Sequence, residues 1–197
     1  MDPFEHLPDK KIINRGAFSE KFLNLGISSF KEACMYVHNL EYGYNSDYSD
    51  NMILFKENKG SCTMKHGTIA KLAEELKIPL HKNIGVYKFS EQITTGAEKI
   101  TKKYNIPYVP MVHCFLKHRD LRFDLTEGNK NGKNKPINKF IKTKQVKPLI
   151  SRKEEYTLFR DILKNEVLPR SEMEGVKIRI LLKAREEAIK LLKRAIE

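Results

Sequence analysis

Residues 106–126, IPYVPMVHCFLKHRDLRFDLT, decide the fold. They read as strand, turn, strand. With His118 and Arg119 at the centre of the turn, one face pairs Val112 with Leu125, Cys114 with Phe123 and Leu116 with Leu121. That face is wholly apolar, as the core side of a hairpin must be. The other face pairs Lys117 with Asp120, Phe115 with Arg122 and His113 with Asp124. This register makes His113 and Asp124 direct cross-strand neighbours, with Cβ atoms roughly 4.5–5.5 Å apart. A carboxylate at that distance orients the imidazole, selects its tautomer and stabilises the imidazolium form. Cys114 points to the apolar face and is expected to be a core residue.

Outward from the hairpin the pattern is mostly helical. Residues 1–27 form a polar lead-in. From Ser28, Phe30, Ala33, Cys34, Val37 and Leu40 recur at helical spacing, behind a Ser29/Glu32 capping box. Cys34 lies on that stripe and is expected in the core. Residues 41–60, EYGYNSDYSDNMILFKENKG, have loop composition and are long enough to suggest a substrate-covering loop. A second helix follows, with Ile69, Leu72, Ala73 and Leu76 as its stripe and Pro79 beyond its end. Residues 84–89 read as a strand, and 94–105, 152–168 and 172–196 as helices. The last helix has one apolar face, Val176, Ile180, Leu181, Ala184, Ala188, Leu191, Leu192 and Ala195. Packing on the body of the protein is the expected role of that face, and a dimer seam is the alternative.

Cys62 lies in the first turn of its helix. There a thiol meets backbone N–H groups that lack intrahelical partners, at the positive end of the helix dipole. Both favour thiolate, and the Cys62 N–H is placed to help hold an oxyanion. Gly60 lets the chain turn sharply before it. Cys62, His113 and Asp124 therefore form a candidate nucleophile, base and orienting carboxylate. Lys65 and His66 follow on the same helix, and His66, four residues on, competes with His113 as a base. Both are candidate substrate-site residues, as is Ser61. A second oxyanion donor is expected from the 41–60 loop, with Tyr42, Tyr44 and Asn45 as candidates.

The Gly60-Ser61-Cys62 helix start, His113 on a strand and the Asp124-Leu125-Thr126 ending resemble the transglutaminase-like cysteine superfamily. The order Cys, His, Asp and the short His-to-Asp gap both match, and the stretch 57–126 is similar to small prokaryotic members. The resemblance covers residues 28–126. It implies an α+β fold of papain-like type, with helices on a small antiparallel sheet, to which the helical pattern beyond residue 152 adds extra C-terminal helices. It also implies acyl transfer from a protein or peptide amide through a thioester, with no cofactor. The chain departs from many members in having Phe115, not Trp, two residues after the histidine, and in lacking acidic clusters for calcium. Expected boundaries are a lead-in to residue 27, a core over 28–127, a lysine-rich loop or linker over 128–153, and helices from 154 to 197.

The net charge of +12 bears on partners. Gly128–Lys153 holds nine Lys or Arg and no Asp or Glu, so most of the excess sits in one segment. A solvated lysine-rich loop is the expected reading and a weak site for an acidic partner or for phosphates the first alternative; its few aromatics disfavour a nucleic-acid reader, which is the alternative partner class. A non-catalytic module of the same fold is the other alternative. Three cysteines without CxxC spacing argue against a disulfide framework or zinc site, and no metal-ligand cluster is visible. No apolar run has the roughly 20 residues that cross a bilayer, and no signal peptide is visible, so a cytoplasmic location is expected.

Overall fold

A computed structural model describes residues 4–196. The fold is α+β. In chain order the elements are α1 (Ala17–Asn24), α2 (Phe30–Asn39), α3 (Ile53–Glu57), α4 (Cys62–Glu75), β1 (Leu80–Phe89), α5 (Ala97–Tyr104), β2 (Val109–His118), β3 (Leu121–Phe123), β4 (Lys142–Gln145), α6 (Arg152–Ile162) and α7 (Ile178–Ile196). The four strands form one small antiparallel sheet in the order β3-β2-β1-β4. Among the described residues no helix is long and apolar enough to cross a membrane.

The chain divides into two compact units. Unit 1 comprises residues up to Asn83, Cys114–Asn129 and Gln145–Ile150. Unit 2 comprises Ile84–His113, Lys130–Lys144 and the chain from Ser151 onward.

Unit 1 is built around α4, against which α1, α2 and α3 all pack. Ten of the fourteen α4 residues are buried, including Lys65, His66 and Thr68. A helix buried on nearly every side must find partners for such polar groups or lose stability. The capping box at α2 forms as expected: Glu32 accepts from the Ser29 N–H, and Ser29 Oγ accepts from the Glu32 N–H. The lead-in is more ordered than its composition suggests. It contains α1, whose Phe18 and Ser19 N–H groups donate to the Glu75 carboxylate at the far end of α4. Gly16 admits that carboxylate, because a Cβ there would lie 2.5 Å from Glu75 Oε1. Cys34 and Cys114 are fully buried, and burial pushes the Cys34 thiol pKa up.

The hairpin register differs from expectation. Leu116 pairs with Phe123, Lys117 with Arg122 and His118 with Leu121, so Arg119 and Asp120 form the turn. Counted along the ladder, Asp124 is level with Phe115 and is not opposite His113. Each residue keeps its face, and Cys114, Leu116, Phe123 and Leu125 are buried, but Leu121, expected on the core face, is 44% exposed, and His113, Phe115 and Asp124 on the other face are buried as well. Alternation fixes only which face a residue joins, and moving the turn centre by one residue keeps every face while sliding each pair by two positions. The turn chemistry makes the choice. Arg119 takes the left-handed region at φ 53°, a conformation that arginine does not advertise in a sequence.

In unit 2, α7 packs against α5 and buries Leu181, Ala184, Ala188 and Leu192 in one core with Phe159, Ile162 and Val109. The apolar face of the last helix is thus used within the chain. The expected helix over 152–168 is α6 followed by a π-helical turn at Leu163–Val167. Lys130–Lys144 is not a free loop. Its Asn134 and Ile141 N–H groups donate to the Ile93 and Val86 carbonyls, and Ile137 is buried.

Candidate functional site

Cys62 is the first residue of α4 and 8% exposed. Ser61 occupies the N-cap but its hydroxyl caps no backbone N–H; it lies 3.3 Å from the Tyr48 hydroxyl instead. The base of the 41–60 loop is laced to the residues just before Cys62. Gly60 N–H donates to the Glu41 carbonyl, and Gly43 N–H to the Gly60 carbonyl. Asn45 donates both amide hydrogens within the loop, to Glu57 Oε2 at 3.0 Å and to the Lys59 carbonyl at 2.9 Å. Asn45 therefore holds the loop to the approach of α4, and in this arrangement has no side-chain N–H left for an oxyanion. Tyr44 is half-buried and Tyr42 buried.

Asp124 follows the end of β3 and is 9% exposed. Its Oδ1 accepts from the Thr126 N–H at 2.9 Å and the Thr126 hydroxyl at 2.7 Å, a tight turn that fixes the carboxylate. The turn is braced against α4 by His66. Leu125 N–H donates to His66 Nε2 at 2.8 Å, and His66 Nδ1 lies 2.7 Å from the Cys62 carbonyl. Because Nε2 accepts, the ring proton is on Nδ1 and donates to Cys62. Asp124 Oδ1 sits 3.3 Å from Nε2, a contact that is no ion pair in this tautomer. Both ring nitrogens serve the backbone, so His66 is a brace and is not set up as the base that competes with His113.

Lys65 also departs from its expected role at the substrate site. It is fully buried, and its ammonium donates to the His38 and Leu40 carbonyls and to Asn129 Oδ1. Those carbonyls close the C-terminus of α2, so Lys65 places a cation where the helix dipole favours one. Burial lowers its pKa to about 8, against the partial opposing pull of Asp124. A second lysine, Lys82, is buried against α4 and donates to the Thr63 and Pro148 carbonyls, each at 2.9 Å. Gly67 allows this approach, since a Cβ there would lie 2.8 Å from the Pro148 oxygen. Sequence reading missed Lys82, Asn129 and Thr126 as supporting residues. The D-x-T spacing was the signal that could have found Thr126; nothing marked the other two.

His113 belongs to unit 2, at the point where β2 passes into unit 1. It is 2% exposed, with the Tyr87 ring edge-on at 6.4 Å between centroids. Unit 1 by itself thus brings together Cys62, Ser61, Lys65, His66 and Asp124. No family model, curated protein or solved structure matches the chain.

Proposed function

We propose that the chain is a thiol-dependent acyl-transfer enzyme of transglutaminase-like type, acting on a protein or peptide amide through Cys62, His113 and Asp124. One observation carries the reading: Cys62 opens α4, and the buried Asp124 turn is bonded to that same helix one turn on, through His66. Nucleophile helix and carboxylate are therefore held in one unit by a fixed ring.

In the proposed reaction the Cys62 thiolate attacks the amide carbon and forms a C–S bond. The Cys62 N–H receives the developing oxyanion. His113, protonated by the thiol, gives its proton to the leaving nitrogen as the C–N bond breaks, leaving a thioester. Water or an amine then attacks the thioester, gives its proton to His113, and Cys62 departs as thiolate. Asp124 supports the imidazolium. His66 acts on the position of the Asp124 turn and Lys65 on the end of α2; both are fully buried.

The test is an activity-based electrophile on the full chain, read by intact mass. Labelling of one site, lost in Cys62→Ala and slowed at least about tenfold in His113→Ala, is expected. Equal labelling of Cys62→Ala and the parent chain would refute the assignment.

A further inference from the structure

Unit 2 contains a cavity of about 580 Å³ whose wall is the lysine-rich segment. That volume falls in the range of roughly 300–1,000 Å³ typical of small-molecule sites. Among the described residues four cations line it, Lys88, Lys135, Lys139 and Arg170, and no carboxylate does. Lys88 already pairs with Glu172 at 2.9 Å, and Arg170 lies 3.8 Å from the same carboxylate. Lys135 is held by a neutral partner, Gln92 Oε1, at 2.9 Å, and among the described residues no carboxylate compensates its charge. Lys139 is exposed and, among the described residues, has no ion-pair partner.

Ser90, Gln92 and Asn138 add neutral polar groups, and the remaining lining is apolar, supplied chiefly by Tyr87, Ile93, Ile137 and Phe140. This part is built into the fold. Phe140 lies across β1 at Gly85, where a Cβ would come within 2.2 Å of Phe140 Cδ1. Backbone bonds from Asn134 to Ile93 and from Ile141 to Val86 pin the wall at either end. Uncompensated cations beside a fixed apolar surface match a ligand with one anionic group and one apolar body. Unit 2 has a second recess, of about 690 Å³, between α5 and α7. That recess is also basic, but it contains Glu187, which is bonded to Lys103 and Tyr104.

We propose that the cavity walled by Lys135–Ile141 binds a small organic anion, a flat apolar body carrying a phosphate or carboxylate. The lysines take the anionic group, and Tyr87, Ile137 and Phe140 take the body. This binding is independent of the proposed acyl transfer.

The test is calorimetric titration of the full chain with 2-naphthyl phosphate, 2-naphthoate, inorganic phosphate and uncharged 2-naphthol. At least one naphthyl anion is expected to bind one-to-one, at least about tenfold more tightly than phosphate or naphthol. The stronger of the two identifies the anionic group. Joint Lys135→Ala and Lys139→Ala replacement is expected to weaken binding about tenfold. Joint Lys99→Ala and Lys190→Ala replacement, in the second recess, should leave it unchanged. Cys62→Ala should bind like the parent chain, which separates failure here from failure of the acyl-transfer reading. Two outcomes overturn the proposal: both naphthyl anions binding no better than phosphate, or the two lysine pairs weakening binding equally.

Discussion

Two sets of lysines show how differently one side chain is used in this protein. Inside unit 1, Lys65 is fully buried and its three N–H donors meet three oxygen acceptors. On the wall of unit 2, Lys135 and Lys139 are exposed, and among the described residues neither has a carboxylate partner. The buried charge is a fastener whose partners are all within the unit. The exposed charges leave a field that an external anion can satisfy. The same division separates His66, whose ring nitrogens both serve the backbone, from His113, which the acyl-transfer reading needs as a proton carrier. Residue type alone does not sort these pairs; the geometry of the partners does.

The comparison predicts that unit 1 is the more sensitive to loss of a polar group. The largest effect is expected for Lys65→Met, which leaves two helix-end carbonyls and the Asn129 oxygen without the ammonium. Urea denaturation should show a loss of about 2–4 kcal/mol. The parent chain should also carry a distinctive pH dependence. Folded Lys65 releases its proton near pH 8, below the ordinary value of 10.5. Between those values the unfolded chain holds more protons, so stability relative to Lys65→Met rises with pH across that window and is level below it. A difference that falls with pH in that window would show that the fold favours the charged form.

His66→Phe comes next. The ring still fills the space, but the Leu125 N–H loses its acceptor, at a cost of about 2 kcal/mol in urea denaturation. Under the proposed acyl transfer, turnover should fall with it, because the Leu125 bond that ties the Asp124 turn to α4 is lost. The smallest effect is expected on the wall of unit 2. Joint Lys135→Ala and Lys139→Ala replacement should change stability by no more than about 0.5 kcal/mol. A loss as large as that of Lys65→Met would erase the contrast between fastener and wall.

What the sequence made legible follows the same physics. The α4 start, the Ser29/Glu32 cap and the buried stripe Leu181, Ala184, Ala188 and Leu192 of α7 are periodic or local signals, and each forms as read; the hairpin's core face forms only in part, since Leu121 is exposed. The hairpin register was not legible, because alternation reports face and is silent on a two-position slide, and the turn rests on a left-handed Arg119. The order in residues 130–144 was hidden because it comes from backbone bonds, and composition reports only side chains. The Asp124-Leu125-Thr126 turn was readable as a motif. Its brace was not, since a histidine four residues after a cysteine fits a base and a fastener equally well.

The most direct measurement concerns the Cys62 thiol itself. Iodoacetamide alkylation of each cysteine should be followed by mass spectrometry from pH 5 to 9. Cys34 and Cys114, both fully buried, should remain unmodified while the chain is folded. Cys62 should react at pH 6 at least about tenfold faster than an unperturbed peptide thiol, whose pKa is about 8.5. That excess should be lost in His113→Ala. Alkylation of Cys62 at or below the peptide rate at pH 6, unchanged by His113→Ala, would contradict the account.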